Sequence, residues 1–282
     1  MSGSLFVVAT PIGDPADLSL RARRVLAEVK WIAAEDTRRA QRQLVTWGIH
    51  SPRLFSLYEH NETERIDQVV TLLGEGQSGA LISDAGTPLI NDPGYRLVRA
   101  VQDQGLKVVP VPGASSITAA LSVAGLATDR FCFEGFLPSR RSQRQTRLES
   151  LKNEPRTLVF LETSHRILES LEDCCSIYGT TREAAIAKEL TKTYEQVVRK
   201  PLGVLYEWLK SDATRSLGEF VLLIGGAEEA AGESNVAKAE PLLKALLRDT
   251  PLKNAVTLVA DLTGLPRNGL YRLALRITQG AE

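Results

Sequence analysis

Three cysteines, Cys132, Cys174 and Cys175, are all that this 282-residue chain contains, and no C-x-x-C pair occurs. A disulfide framework and a cysteine-based zinc or redox motif are therefore excluded. The three histidines, His50, His60 and His165, stand too far apart to supply a metal site of recognisable ligand spacing, so no metal is expected. Neither G-x-x-x-x-G-K-[ST] nor G-x-G-x-x-G is present, which leaves ATP and nicotinamide cofactors poorly supported. No apolar run approaches the length of a membrane span, and the N-terminus lacks a basic segment followed by an apolar stretch. The sequence thus predicts a cytoplasmic protein with no membrane partner. Net charge is also lacking, since 34 basic residues balance 34 acidic ones.

What remains is an ordinary globular composition, 43% hydrophobic and 24% charged, with ample core for two domains and a small appendage. Strand and helix patterns alternate up to about residue 112, with strands at 5–9, 31–34, 53–57, 79–83 and 107–111 and helices near 18–30, 38–47, 62–74 and 92–104. Such alternation predicts an α/β domain over 1–112 with a largely parallel sheet covered on both faces. Residues 113–226 read as a second, mixed α/β domain, because the strand patterns around 184–199 are close enough for an antiparallel hairpin. Residues 227–238 are small, acidic and aperiodic, as expected of a linker.

Three strand ends carry the chemistry. Leu5–Ala9 opens into Thr10-Pro-Ile-Gly-Asp14. Ala80–Ile82 opens into Ser83-Asp-Ala-Gly-Thr-Pro88. Val108–Val111 opens into Pro112-Gly-Ala-Ser-Ser116 and a helical pattern. Ligands of open α/β sheets bind outside the carboxyl ends of strands, and small residues let the backbone approach them. Three such loops suggest one cleft between the domains, with Asp84 as its carboxylate; an ordinary strand-to-helix turn is the plainer alternative.

Charge is clustered although it sums to zero. Residues 138–156 hold Arg140, Arg141, Arg144, Arg147, Lys152 and Arg156 against Glu149 and Glu154. Local clusters set the field that a phosphate backbone meets, although a solvated helix face would read the same way. In 239–282, three short helical patterns include Ala260-x-x-x-Gly264, with Val259, Leu265, Leu270 and Leu273 at the apolar positions of a helix-turn-helix. Its second helix would present Arg267 and Arg272; a structural three-helix cap is the alternative.

The segments Ala9–Gly13, Ile32-Ala-Ala-Glu-Asp-Thr-Arg38, Glu59-His-Asn-Glu62, Ser83–Pro88, Val111-Pro-Gly113, Phe133–Pro138, Lys188-Glu-Leu-Thr-Lys192 and Gly218–Gly225 occur in a characteristic order. On these residues the chain resembles the ribosomal RNA small subunit methyltransferase I family, the ribose-methylating branch of the tetrapyrrole methylases. The resemblance implies two α/β domains with a cofactor cleft between them, a helix-turn-helix-like appendage and a homodimer. It further implies transfer of a methyl group from S-adenosylmethionine to a cytidine 2′-hydroxyl of small-subunit (16S) rRNA. Asp14, Tyr58 and Glu162-Thr-Ser-His165 depart from the family pattern.

Carried onto these positions, the resemblance assigns Pro11, Ser83, Asp84, Ala85, Thr87, Ser115, Ser116 and Leu161 to the cofactor. Asp36 is the first choice of general base, with Arg38 beside it holding a phosphate or keeping the carboxylate ionised. Glu189 is the alternative base and His60 an active-site loop residue. Lys188 and Lys192 join Arg140, Arg141, Arg144, Arg147, Arg267 and Arg272 as expected rRNA contacts. For Glu35-Asp36 the plainer reading is a carboxylate pair complementing the dipole of the next helix; for Ser115 and Ser116 it is N-capping. The same fold acting on a porphyrin-type macrocycle or a modified protein side chain stays open, as does a non-enzymatic helix-turn-helix regulator.

Overall fold

In a computed structural model, residues 2–50, 52–58, 62–227 and 239–279 are described. His60, expected in an active-site loop, and nearly all of the expected linker therefore lie outside the described residues.

The first sheet contains β1 (Ser4–Val8), β2 (Trp31–Ala34), β3 (Arg53–Ser56), β4 (Gly79–Ile82) and β5 (Lys107–Val111), in the order β3-β2-β4-β1-β5. Every pairing in it is parallel, as alternation predicts. Continuously apolar strands are what a doubly covered parallel sheet requires. In β2, Ile32 and Ala34 join the core beneath α1 (Leu20–Glu28) and α2 (Thr37–Thr46), while Trp31 and Ala33 face the opposite core. That second core is covered by α3 (Glu62–Gly74) and α4 (Tyr95–Asp103).

After α5 (Ser116–Ala124) the chain builds a second five-stranded sheet from β6 (Phe131–Phe136), β7 (Thr157–Thr163), β8 (Glu183–Lys188), β9 (Gln196–Pro201) and β10 (Glu219–Ile224). Its order is β6-β7-β10-β8-β9. Only β6 and β7 run parallel; β8 and β9 form the expected antiparallel pair. One face is covered by α6 (Arg141–Ser150), α7 (Ile167–Tyr178) and α8 (Leu202–Lys210). The other receives α5 and, from the first unit, Ile12.

Three more helices, α9 (Glu240–Leu246), α10 (Leu252–Thr263) and α11 (Arg267–Gln279), enclose a core of their own. Val259, Ala260, Leu270 and Leu273 are buried in it, and Leu265 packs against it. Gly264 ends α10 with φ of 69°, the left-handed conformation a helix-turn-helix corner needs. No helix among the described residues is long and apolar enough to cross a membrane.

Candidate functional site

The three loops converge. Thr10 and Gly86 exchange backbone hydrogen bonds of 2.8 and 2.9 Å, joining the first two loops, and Gly86 does so at φ of 83°, which its missing side chain permits. The Thr87 hydroxyl donates to the Ala114 carbonyl (3.1 Å), joining the second loop to the third. Across the cleft, the Asp14 amide donates to Thr191 Oγ1 (3.1 Å). Any side chain at Gly13 would meet that same hydroxyl at 2.5 Å, so glycine sets how closely the two units approach.

Between the units lies a cavity of about 220 Å³, floored by Leu161, Ala187 and Val221 and rimmed by Ile12, Ser116, Phe136, Leu190, Lys192 and Glu219. It adjoins a hollow of about 480 Å³ that shares Ile12, Lys192 and Glu219 and is lined by Pro11, Ala85, Arg39, Arg42 and Gln43. Together the two reach the size of a small-molecule site, about 300–1,000 Å³. Of the expected cofactor residues, Ser116 and Leu161 line the cavity and Pro11 and Ala85 line the hollow. Ser115 caps α5 without a side-chain hydrogen bond, so the amides of that first turn remain for an anionic ligand group.

Asp84 lies just behind this wall. Its carboxylate accepts from the Asp36 amide (3.3 Å) and pairs with Arg39 (3.3 Å), and its carbonyl accepts from Gln43 Nε2 (2.9 Å). Ser83 is buried, with its hydroxyl on the Ala85 carbonyl (3.3 Å). Two further carboxylates lie near Asp84: Glu35, read from the sequence only as a dipole-complementing partner of Asp36, and Asp92, not singled out from the sequence. Desolvation and then the neighbouring Asp84 and Asp92 charges push Glu35 up. Asp92 is likewise raised, chiefly by burial.

Asp36 sits at the end of β2 as the N-cap of α2, accepting from the amides of Arg38 (2.8 Å) and Arg39 (3.2 Å). Those two bonds, Arg39 first, hold its carboxyl below the ordinary aspartate range. An open hollow of about 780 Å³ lies beside it, lined by Asp36, Thr37, Arg38, Gln41, Arg42 and Leu54.

Glu189 is fixed more tightly. Its carboxylate accepts from Lys192 Nζ (3.0 Å) and the Glu219 amide (2.8 Å). Burial pushes Glu189 up, but those two donors outweigh it and hold the carboxyl below the usual glutamate value. Glu189 and Thr191 both take left-handed backbone conformations, φ of 50° and 61°, a strain that the surrounding structure must hold.

The structure corrects several expected RNA contacts. Arg144 is 1% exposed, with Nε 2.7 Å from the fully buried Asp173 and further bonds to Glu169 and the Ser139 carbonyl, so no phosphate can reach it. Lys188 is buried and donates to the Thr214 carbonyl (2.9 Å), which removes it too. Arg141 pairs with Asp173 and Glu172, Arg147 with Glu134, Lys192 with Glu189 and Glu219, and Arg267 with Asp261. Arg140 and Arg272 remain exposed. What sequence reasoning missed is that Arg38 is joined on α2 by Arg39 and Arg42, at the mouth of the cleft.

Residues 4–206 match the family described as Tetrapyrrole (Corrin/Porphyrin) Methylases, and residues 233–278 match the RsmI C-terminal HTH domain. The chain is 49% identical over 276 residues to a ribosomal RNA small subunit methyltransferase I of Pseudomonas aeruginosa, covering 98% of both chains. It is 44% identical to a Haemophilus influenzae protein of the same name, over 98% of this chain and 97% of that one. Among solved structures, a diphthine synthase superposes with a TM-score of 0.62 at 17% identity, over 79% of this chain and 90% of its own. A Thermus thermophilus uroporphyrin-III C-methyl transferase complexed with S-adenyl homocysteine does so with a TM-score of 0.53 at 19% identity, over 80% and 98%. At these identities the two structures speak for the fold alone.

Proposed function

Because the chain belongs to the tetrapyrrole methylase family and is similar over nearly its whole length to ribosomal RNA small subunit methyltransferases I, we propose that it methylates small-subunit rRNA with S-adenosylmethionine. The acceptor in this reading is a cytidine 2′-hydroxyl. The observation that carries it is the near-full-length similarity, which extends through the helix-turn-helix appendage; porphyrin methylases and diphthine synthases share the fold over about four fifths of this chain.

The residues fit such a cofactor. Leu161, Ala187 and Val221 offer an apolar floor, and the α5 amides behind Ser115 suit a carboxylate. Ser83, Asp84 and Thr87 hold the wall of the site through the hydrogen bonds they make with Ala85, Asp36 and Ala114. Bound there, S-adenosylmethionine supplies a methyl group already activated on a sulfonium. The protein's task is then to align the hydroxyl oxygen, at about 3–3.5 Å and in line, and to accept its proton. In this reading Asp36, the N-cap of α2 beside an open hollow, takes the second task. Its depressed pKa keeps it charged at neutral pH, and a weak base suffices because the hydroxyl proton becomes strongly acidic as the new C–O bond forms. Arg38 holds the adjoining phosphate. Glu189 serves instead to fix Lys192 at the rim of the cavity. The active unit in this reading is a homodimer, which sedimentation of the purified protein tests.

The deciding experiment incubates the protein with methyl-labelled cofactor and, separately, naked small-subunit rRNA, assembled small subunits and a porphyrinogen. Label released from rRNA as 2′-O-methylcytidine is the expected result. Label on a nucleobase would overturn the acceptor assignment, and label only in the macrocycle would overturn the rRNA reading.

A further inference from the structure

The arginines of α2 stand where helix physics disfavours them. Arg38 and Arg39 occupy the first turn, at the positive end of the helix dipole, and Arg42 lies one turn beyond both, so like charges face each other at i,i+3 and i,i+4. The helix body contains no acidic residue; its N-cap Asp36 lies near Arg38 and Arg42, and among the described residues only Arg39 of the three forms an ion pair. All three are exposed. The ridge they form separates two hollows: Arg38 and Arg42 line the one that holds Asp36, while Arg39 and Arg42 line the one that opens towards the cofactor cavity. At the far end of α2 the Arg23 guanidinium lies close over Gly48, continuing the charge onto α1. The α6 cluster differs, since Arg141, Arg144 and Arg147 each face a carboxylate of their own chain.

We infer that the ribose–phosphate backbone of the acceptor RNA runs along α2, with phosphates on Arg38, Arg39 and Arg42 and an outlying one towards Arg23. The inference rests on the proposed rRNA activity and adds where the strand lies. A phosphate at Arg38 brings the adjoining ribose to the hollow that Asp36 lines. Two carboxylates, Asp36 and Asp84, stand against three arginines, so phosphates supply the remaining negative charge and RNA binding relieves the repulsion among the arginines. The α6 arginines are engaged in internal pairs and contribute little to this track.

The test compares Arg38→Gln/Arg42→Gln with Arg141→Gln/Arg147→Gln in the full-length protein, using a small-subunit rRNA transcript as the probe over a series of salt concentrations. For a single strand, every phosphate that is no longer neutralised flattens the plot of log affinity against log salt by about 0.7. The α2 pair should therefore reduce the slope by about 1.4 and the α6 pair leave it unchanged, while calorimetry with S-adenosylmethionine gives wild-type affinity for the α6 pair and for Arg38→Gln alone, which lies outside the hollow next to the cofactor cavity. A wild-type slope in the α2 variant, with rRNA still methylated, would overturn the track alone, as would a loss of slope in the α6 variant only. Failure of the wild-type protein to methylate any rRNA substrate would overturn the proposed function and the track with it.

Discussion

Replacing Arg144 with methionine separates a structural arginine from an RNA-binding one. The guanidinium is 1% exposed and bonded at 2.7 Å to Asp173, which is itself fully buried. Removing one partner of a buried ion pair costs about 3–5 kcal/mol, because the other charge stays desolvated. Here Asp173 keeps Arg141 Nε at 3.1 Å and Gln145 Nε2 at 2.8 Å, which argues for the low end, about 3 kcal/mol. In a chain of this size that lowers Tm by about 6–12 °C. The double variant Arg144→Met/Asp173→Leu removes both charges and should recover most of the loss.

The pH dependence has a definite sign. In the wild type, burial pushes the Asp173 carboxyl up, but hydrogen bonds from Arg144, Gln145 and Arg141 outweigh it and hold it low. A carboxyl depressed on folding contributes stability that is present above its unfolded pKa of about 3.9 and lost as pH falls through the folded value. The deficit of Arg144→Met should therefore be full at neutral pH and shrink on acidification below about pH 4. Denaturant titration at several pH values, together with rRNA binding, reads both effects. A variant that melts like the wild type but loses RNA affinity would refute the reasoning, because it would show Arg144 meeting phosphate instead of Asp173.

Three further outcomes are expected. Asp84→Ala should weaken S-adenosylmethionine binding, because it removes the bonds to the Asp36 amide and Arg39 that hold the wall of the site, and unchanged affinity by calorimetry would show that Asp84 does not support the site. Asp36→Asn should keep the helix cap, since asparagine caps as well as aspartate, and keep cofactor affinity while losing most turnover; near-wild-type single-turnover rates would show that Asp36 only caps. Ala187→Phe should fill the floor of the cavity and abolish cofactor binding with the fold retained by circular dichroism, whereas normal binding would place the cofactor elsewhere.

Much of the fold follows from local pattern. Continuous apolar runs such as Trp31–Ala34 and Gly79–Ile82 can be satisfied only by a sheet covered on both faces, and their alternation with helical segments leaves parallel pairing as the outcome. The close spacing of β8 and β9 makes their pairing antiparallel. Small-residue loops at three strand ends are visible in the chain as written, and so is the corner at Gly264. These features depend on neighbours a few residues away, which is the range over which backbone geometry acts.

The tertiary structure alone decided which charges are free and which residues floor the cavity. Arg144 and Arg38 look alike in sequence, each beside other arginines in a polar helix. Yet Asp173, 29 residues further on, is buried against Arg144, whereas the carboxylates near the α2 arginines, Asp84 at Arg39 and the N-cap Asp36 near Arg38 and Arg42, leave those arginines exposed. Ala187 and Val221 read as strand interior, and only the docking of the Ile12 loop against the second sheet turns them into a binding wall. Local spacing fixes where a side chain sits on its own element, but its desolvation and its partners are set by whatever the rest of the chain brings against it. That long-range pairing is what separates a buried structural cation from one free to meet a phosphate.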